Sequence, residues 1–549
     1  MIFIKKYAII FIENKKESNY SLEKRPREKG DYIMNKFIDA MENANNYTRT
    51  ENGALAYKST KSALLDMFAM GAAMRTRSDE DVILMFRKAF AENPTYALKC
   101  LFYIRDVRGG QGERRFFRVI MKDLAQTNPD AARRNLEYIP TYGRWDDLYT
   151  FVNTPLEADA FNFMKKQLAL DVSCKTPSLL AKWLKSENTS SQESRDLATK
   201  TRIAFGMNHK QYRKTLSILR QRINILERLM SENRWDEIEF DKIPSRAGMI
   251  YKNAFARHDI ERMNKNIEIQ SYADFAKDDT KKVNAKALYP YECVAEAFKV
   301  MRSSWSYGSY ASVAMDDTNR LMVNKYWDNL EDYFKGASFN GMAIVDTSGS
   351  MCGSGADSPI NVAISLGLYC AEKAKGPYHG HFITFSSNPT FVWADGVDFC
   401  DKVVRMSTAD WGGSTNVEAA FDMMLDVAIK NHLSQDDIPE NLIIISDMEF
   451  NDCATSGARS SSRWGSGMRA NDTLFEAIAK KWKSHGYVMP KLVFWNVQAR
   501  QNNIPMQDDG YVSYVSGMSP VIFEQVMKGL SAWDLMMDKL DSERYAPIE

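Results

Sequence analysis

Three separate segments of the sequence carry oxygen-bearing side chains where predicted strands end or a helix begins. The first is Asp346-Thr-Ser-Gly-Ser350, which follows the apolar run 342–345. The second is Trp-Gly-Gly-Ser-Thr-Asn at 411–416, which precedes a helical pattern. The third is the apolar run 442–445, which is followed by Ser446-Asp447. Carboxylates and hydroxyls are the ligands that a hard cation such as Mg²⁺ prefers, so these segments predict a binding site for a divalent cation.

The order of these motifs, D-x-S-x-S, then G-G-x-T-N, then I-I-I-S-D, resembles the metal-ion-dependent adhesion site of von Willebrand factor A domains. The resemblance implies that the hydroxyls bind the cation directly and that the aspartates bind it directly or through water. The ion would be Mg²⁺ or another divalent cation such as Mn²⁺ or Ca²⁺. The implied ligands are Asp346, Ser348, Ser350, Thr415 and Asp447. The alternative is that these residues only cap strand-to-helix turns.

The predicted site favours binding over catalysis. Two aspartates at most neutralise a divalent ion, so the ion stays electrophilic and open to a carboxylate or phosphate from a partner. No residue nearby in the sequence is typical of a base that activates water. A metal-dependent nuclease or phosphatase would need such a base and usually a denser carboxylate cluster, which makes an enzyme the less favoured alternative.

The distribution of charge along the chain is uneven. The 549 residues have a net charge of +1, from 72 Lys and Arg against 71 Asp and Glu. Residues 335–549 contain 17 Lys and Arg against 26 Asp and Glu, which leaves 55 against 45 for residues 1–334. A basic part joined to an acidic part indicates that the basic part meets a polyanion.

Cysteine usage and hydropathy indicate a cytoplasmic protein without a membrane partner. The seven cysteines are scattered and form no C-x-x-C pair, a pattern typical of free thiols in a reducing compartment. The apolar run near Met1 is too short for a signal peptide and lacks a cleavage site. No run reaches the roughly 20 apolar residues of a membrane helix. Residues 1–53 are expected to be a partly disordered extension, with Met34 as an alternative start.

Residues 54–334 show helical periodicity almost throughout, which predicts stacked amphipathic helices. One short segment recurs: G-R-W-D-D-L at 143–148 returns as N-R-W-D-E-I at 233–238. The recurrence is weak support for a helical repeat. The alternative interpretation is that each Trp-Asp pair begins a helix, with the acid near the positive end of the helix dipole.

The periodicity changes between about 326 and 340, and residues 335–549 alternate between strands and helices. This alternation predicts an α/β domain with a mainly parallel, doubly wound sheet. Ligands in such sheets bind at the carboxyl ends of the strands, where Asp346 and Asp447 lie. The expected strands are 342–346, 381–386, 390–394, 442–447, 491–497 and 511–515, and the expected helices are 360–375, 416–431, 472–484 and 518–530.

Two basic stretches of the helical part are candidates for RNA binding. The first includes the turn Gly109-Gly-Gln-Gly112, whose backbone amides are expected to be exposed as a phosphate site. The second, 195–228, interleaves aromatic and basic residues, as RNA-binding surfaces do. The candidate RNA-binding residues are Arg105, Arg108, Arg114, Arg115, Arg118, Arg202, Lys210, Arg213, Lys214, Arg220 and Arg222. The alternatives are solvated helix faces, or an acidic protein as partner of a protein-only adaptor.

Three segments of the helical part resemble the TROVE module of Ro ribonucleoproteins, in an uncharacterised TROVE-like branch. They are D-V-R-G-G-Q-G-E-R-R at 106–115, I-P-T-Y-G-R-W-D-D at 139–147 and A-K-W-L at 181–184. The resemblance covers roughly 54–545 and implies HEAT-like helical repeats followed by a von Willebrand factor A domain. It implies a non-enzymatic scaffold for small structured or misfolded RNA, with an acidic group of a protein partner at the metal site. The loop 451–469, with Arg459, Arg463 and Arg469, is expected to lie over that site.

Overall fold

The described chain begins with a small β-hairpin. The structure is a computed structural model, and it describes residues 46–223, 225–304, 310–407, 414–452, 473–507 and 510–549. Tyr47–Arg49 (β1) and Leu55–Tyr57 (β2) pair antiparallel, with Tyr47 opposite Tyr57. Part of the predicted extension, residues 47–53, therefore belongs to a hairpin. Strands of three residues are too short to be recognised from alternating hydropathy.

The part of the chain between this hairpin and residue 334 is helical, as predicted. Helix starts coincide with side-chain caps: Ser62, Ser78 and Asn93 each accept a hydrogen bond from an N–H of the first turn. The α-helices are Ala63–Met70 (α1), Asp79–Glu92 (α2), Pro94–Arg105 (α3), Arg115–Thr127 (α4), Pro129–Asn135 (α5), Ile139–Tyr142 (α6), Glu157–Ser173 (α7), Leu180–Trp183 (α8), Gln192–Phe205 (α9), His209–Arg222 (α10), Leu226–Ser231 (α11), Ser245–Lys265 (α12), Tyr272–Lys277 (α13), Pro290–Ser304 (α14) and Tyr310–Asp328 (α15).

The two Trp-Asp segments each begin a short 3-10 helix, Trp145–Phe151 and Trp235–Glu237. In the first, the Asp147 carboxylate accepts a hydrogen bond from the N–H of Arg144 at 2.9 Å. The interpretation that each pair begins a helix is therefore confirmed. Further 3-10 helices of this part are Gly71–Ala73, Leu136–Tyr138 and Phe240–Lys242.

In the described residues of the C-terminal part, six strands form one mixed sheet. They are Gly341–Asp346 (β3), His381–Phe385 (β4), Thr390–Trp393 (β5), Asn441–Ser446 (β6), Lys491–Asn496 (β7) and Val512–Ser516 (β8), in the spatial order β5-β4-β3-β6-β7-β8. The β5 strand is antiparallel to β4, and the other neighbouring pairs are parallel. The β3 and β6 strands are buried, as continuous apolar runs in parallel sheets require. Their carboxyl ends therefore lie side by side.

Three helices of the C-terminal part agree with the predicted helices 360–375, 416–431 and 472–484, whereas the helix Phe399–Ser407 was not predicted and the last predicted helix differs. The helices of this part are Pro359–Lys373 (α16), Phe399–Ser407 (α17), Val417–Lys430 (α18), Leu474–Ser484 (α19), Phe523–Val526 (α20) and Ala532–Leu540 (α21), with 3-10 helices at Gly349–Met351, Gln435–Asp437, Pro520–Ile522 and Glu543–Tyr545. The combination of a helical part and an α/β part is confirmed.

The predicted helix 518–530 is only partly present, because helical residues extend from 520 to 526. The chain forms Pro520–Ile522 and α20, and it turns at Gly529, whose φ is +61°. Ser531 then accepts a hydrogen bond from the N–H of Asp534 and starts α21. The left-handed Gly529 prevents the first helix from continuing to residue 530, and the serine cap begins a second helix that was not predicted.

The helical part packs directly on the sheet part, and contacts join Tyr47–Glu549 into one compact unit. The α16 helix contacts both α14 and β3. Trp327 of α15 stacks on Phe399 with ring centroids 4.0 Å apart. Near the C-terminus, Arg544 donates hydrogen bonds to Asp106 of the α3–α4 turn. Among the helices that the structure describes, none combines the length and apolar character needed to cross a membrane.

Candidate metal centre

Asp346 ends β3, and its carboxyl group is buried. Its Oδ1 accepts a hydrogen bond from the N–H of Ser348 at 2.9 Å, and its Oδ2 accepts one from the hydroxyl of Ser446 at 2.5 Å. Burial, and then the neighbouring carboxylate of Asp447, raise the pKa of Asp346 to about 7. The ionised carboxyl group is thus poorly compensated, and a bound cation would relieve this.

Ser348 and Ser350 lie on the turn that follows β3. The 3-10 helix Gly349–Met351 bends the chain there, and the two hydroxyl oxygens are 3.0 Å apart. The Ser350 hydroxyl also helps to lower the pKa of Asp447. The D-x-S-x-S segment therefore brings one carboxylate and two hydroxyls to the same end of the sheet.

Asp447 directly follows β6, beside Asp346 on the neighbouring strand. Its side chain is buried, and its Oδ1 accepts a hydrogen bond from the N–H of Glu449 at 3.3 Å. Its Oδ2 is buried and accepts no hydrogen bond, although the Nε of Arg500 lies 3.4 Å away. Burial raises the pKa of Asp447, and Arg500 opposes this. A buried carboxylate oxygen without a hydrogen bond is costly unless a ligand binds it.

Thr415 reaches the same edge from the segment before α18. Its backbone is bonded to Asn451: the Thr415 N–H donates to Asn451 Oδ1 at 3.2 Å, and the Asn451 N–H donates to the Thr415 carbonyl at 3.0 Å. Its buried hydroxyl accepts a hydrogen bond from Asn52 Nδ2 at 3.2 Å. Gly412 and Gly413 of the same motif lie outside the described residues.

The structure thus brings the predicted metal ligands to the carboxyl edge of β3 and β6. Two carboxylates and three hydroxyls are oxygen ligands of the kind that Mg²⁺ prefers, and Asp447 Oδ2 accepts no hydrogen bond, although it lies 3.4 Å from Arg500 Nε. Among the described residues, no group of three or more His, Cys, Asp or Glu side chains is arranged to hold a metal ion. A cation at this edge would therefore depend on the hydroxyls as well as on the aspartates.

Arg500 is a residue of this site that the sequence analysis missed. Its Nη2 donates a hydrogen bond to the carbonyl oxygen of Ser350, and its Nη1 lies 3.4 Å from Glu51 Oε2. Arg500 follows β7 by four residues, at the same edge of the sheet as Asp447. The rule that ligands bind at the carboxyl ends of parallel strands was the available signal.

The turn between β1 and β2 also reaches the site, and no sequence pattern predicted this contact. The N–H of Glu51 donates to Glu449 Oε2 at 2.6 Å, and Asn52 Nδ2 donates to the Glu449 carbonyl at 2.5 Å. Asn503 Nδ2 donates to the other carboxylate oxygen of Glu449 at 2.9 Å. Burial raises the pKa of Glu449 to about 7. Almost 400 residues separate the turn from Glu449, so neither motif nor periodicity links them.

The first group of candidate RNA-binding arginines is largely engaged by other parts of the protein. Arg105 is buried and donates two hydrogen bonds to Asp147, at 2.8 and 2.7 Å. Arg118 binds Asp146 and Asp147, Arg115 pairs with Asp79, and Arg108 donates to the Thr141 carbonyl. Arg114 is exposed. Of this group, Arg105 is therefore too buried to contact a phosphate, whereas Arg108 and Arg114 are exposed.

The backbone amides of the glycine turn are also engaged. The N–H groups of Gln111, Gly112 and Glu113 donate to carbonyl oxygens at the end of α3 and just after it, at 2.8–3.1 Å. The expectation of exposed amides is wrong for these three residues. The last carbonyl groups of every helix lack partners within that helix. The amides of this turn donate hydrogen bonds to such carbonyl groups at the end of α3.

The second group of candidates divides into engaged and exposed residues. Arg202 pairs with Glu187 at 2.8 Å, Arg222 donates to the Val172 carbonyl, and Arg220 donates to the carbonyls of Ala181 and Leu184. The exposed residues of this group are Lys210, Arg213, Lys214 and Arg222, and all four lie on α10. The predicted loop arginines Arg459, Arg463 and Arg469 lie outside the described residues.

Comparisons with known proteins place the chain in a family without a described activity. Residues 50–200 and 171–338 match the model of a domain of unknown function, DUF2828, and residues 340–543 match another, DUF7788. The chain is 33% identical over 525 residues to an uncharacterised protein of Acanthamoeba polyphaga mimivirus, with 88% of this chain and 85% of the viral protein covered. The chain belongs to the DUF2828 family.

Proposed function

We propose that this protein is a non-enzymatic RNA-binding scaffold whose α/β part holds a divalent cation and an acidic ligand. The helical part would bind RNA, as the resemblance to the TROVE module of Ro ribonucleoproteins implies. The α/β part would act as a von Willebrand factor A domain, with Mg²⁺ held by Asp346, Ser348, Ser350, Thr415 and Asp447. Mg²⁺ would supply a positive charge that attracts an anionic group.

The observation that carries the metal proposal is the buried, unbonded Oδ2 of Asp447 beside the carboxyl group of Asp346. Two buried carboxylates without full compensation are unfavourable unless a cation or protons bind there. The strand order also supports the proposal, because a doubly wound sheet with one antiparallel edge strand suits a Rossmann-like A domain.

The RNA proposal depends on the cations that the structure leaves at the surface. Lys210, Arg213 and Lys214 are spaced at i, i+3 and i+4, so they share one face of α10. Phosphate contacts from such a face would make the logarithm of the affinity fall linearly with the logarithm of the salt concentration.

Two variants test the two activities separately in the full chain. Asp346→Ala should abolish Mg²⁺ binding in calorimetry and leave RNA binding unchanged. The triple change K210Q, R213Q and K214Q should weaken RNA binding and reduce the salt slope by up to about 3, without an effect on Mg²⁺. The matched control is K281Q, K282Q and K286Q, which removes three exposed charges elsewhere in the helical part. Equal RNA affinity of the two triple variants would contradict the proposed surface.

A protein-only adaptor is the second candidate function. The ion pairs of Arg105, Arg115, Arg118 and Arg202 with carboxylates of the same chain favour it, because these arginines are already neutralised. The absence of RNA binding at low salt, together with intact Mg²⁺ binding, would support the adaptor. Multiple turnover of RNA by the purified protein, lost in Asp447→Ala, would instead identify a nuclease.

A further inference from the structure

The hairpin turn that precedes α1 places a carboxylate at the mouth of the candidate cation site. We propose that Glu51 is an acidic ligand of this site, supplied from within the chain, so that a bound divalent cation ties the N-terminal hairpin to the sheet. This inference rests on the proposed cation site, and it names the acidic group that occupies the site in the resting protein.

The turn is fixed in place by contacts that do not involve the Glu51 side chain. Thr50 Oγ1 donates to the Phe450 carbonyl at 2.6 Å, and the Glu51 N–H donates to the Glu449 carboxylate at 2.6 Å. Asp452 returns a hydrogen bond from its N–H to the Asn52 carbonyl at 3.3 Å. All these partners lie within 449–452, the segment that follows Asp447. The backbone of Glu51 is therefore anchored beside Asp447.

The β2 strand adds a second anchor on the other side of the turn. Tyr57 exchanges two backbone hydrogen bonds with Ile504, at 2.8 and 2.9 Å. The Tyr57 hydroxyl donates to Glu476 of α19 at 2.7 Å. Both ends of the turn are therefore anchored on the α/β part, and the turn lies permanently beside the site. A carboxylate at position 51 is thus always close to the site and does not have to bind from solution.

The Glu51 side chain already shares a cation with Asp447. Its Oε2 lies 3.4 Å from Arg500 Nη1, and Arg500 Nε lies 3.4 Å from Asp447 Oδ2. One guanidinium thus bridges the two carboxylates. The Glu51 side chain is 45% exposed, so its carboxylate can turn without disturbing a packed core.

The negative charges around the site favour binding of a further cation, one with a higher charge than the guanidinium of Arg500. Among the described residues, the guanidinium of Arg500 lies within 3.4 Å of carboxylate oxygens of both Glu51 and Asp447, and the carboxyl groups of Asp346 and Glu449 lie close to that of Asp447. A divalent ion with Glu51 as a ligand would compensate more of this charge than Arg500 does alone. An acidic group from another molecule would have to compete with Glu51, which has the advantage of a high effective concentration.

The test measures Mg²⁺ binding to the full chain by calorimetry, with Glu51→Gln and the control Glu80→Gln, an exposed glutamate at the start of α2. Gln keeps the size of the side chain and the backbone N–H that binds Glu449. Affinity for Mg²⁺ should fall about tenfold or more in E51Q, because ligand charge sets the affinity of such sites, and it should stay unchanged in E80Q. Mg²⁺ should slow hydrogen exchange in 47–57 of the wild-type protein but not of E51Q.

A second probe tests whether Glu51 fills the open position. In the presence of saturating Mg²⁺, acetate should bind E51A and should not bind the wild-type protein. Wild-type Mg²⁺ affinity in E51Q, or equal acetate binding by the wild-type protein and E51A, would overturn the role of Glu51 and leave the cation site standing. Failure of the wild-type protein to bind Mg²⁺ would overturn the cation site itself.

Discussion

At the scale of single residues, the main feature of the carboxyl edge of the sheet is that buried carboxylates lie there with few positive charges to compensate them. Asp346 and Asp447 are buried side by side, and Arg500 is the cation that contacts Asp447. The hydrogen bond from Arg500 to the Ser350 carbonyl keeps the guanidinium over the D-x-S-x-S turn. Arg500 therefore stabilises the metal-free site and competes with a divalent cation for the same charges.

Arg500→Met should tighten Mg²⁺ binding, because it removes a like charge near the bound ion. A unit charge at a distance of several ångströms is worth about 1 kcal/mol at a partly exposed site, which corresponds to roughly fivefold in affinity. Titration calorimetry measures this, with the exposed Arg213→Met as a control for the loss of one positive charge. Weaker Mg²⁺ binding in R500M would show instead that Arg500 assists the ion.

The buried Arg105–Asp147 pair makes a different prediction. Both side chains are almost fully buried, so Arg105→Ala leaves Asp147 partly uncompensated inside the protein. The free energy of unfolding should fall by about 3–5 kcal/mol, as measured by urea denaturation. Arg213→Ala should change stability by less than about 0.5 kcal/mol. A folded R105A variant of normal stability that has lost RNA binding would contradict the structural role.

At the scale of elements, the glycine turn between α3 and α4 is a tightly packed helix connection. A Cβ on Gly110 would lie 2.0 Å from the carbonyl oxygen of Tyr103, which is backbone of α3. A Cβ on Gly109 would instead meet the Arg544 side chain, at 2.8 Å. The first contact cannot relax without moving the helix, whereas a side chain can move aside.

Gly110→Ala should therefore destabilise the protein by about 1–3 kcal/mol, the usual cost of overpacking. Gly109→Ala is the matched control and should cost less. Thermal unfolding of both variants provides the comparison. A larger loss in G109A than in G110A would contradict the packing described for this turn.

Elements of the α/β part were predictable because their apolar runs are long and alternate with helices. β3, β6 and β7 lie within one residue of their expected bounds, and Asp346 and Asp447 followed from the strand ends. The hairpin 47–57, α17 and α21 were not predicted. These elements are short or are set by contacts distant in sequence, such as Tyr57 with Ile504. Arg500 and Glu51 were not predicted as residues of the site for the same reason, because contacts between residues distant in sequence bring them there.

At the scale of the whole molecule, the two parts of the chain depend on each other. The β1–β2 hairpin lies against the sheet edge that carries Asp447, and α1 packs on β8. The C-terminal residues return to the helical part, where Arg544 pairs with Asp106 and Glu549 bonds Asn135. The hairpin and the C-terminal residues therefore each cross from one part of the chain to the other.

Separate expression of residues 335–549 should give a protein much less stable than the full chain, because α16, β8 and the site edge lose their partners. Circular dichroism during heating would show a lower midpoint or no cooperative transition. Addition of residues 47–334 should restore a cooperative transition. A separate 335–549 fragment that melts at the same temperature as the full chain would show that the interface contributes little.

The most direct test of the cation site is diffraction from crystals grown with Mn²⁺, whose anomalous scattering locates the ion independently of any assumed ligands. We expect an anomalous peak at the carboxyl edge of β3 and β6, within bonding distance of the Ser348, Ser350 and Thr415 hydroxyls. The peak should disappear in Asp447→Asn crystals of the same form. The absence of a peak between Asp346 and Asp447 in wild-type crystals soaked in Mn²⁺ would contradict the proposed cation site.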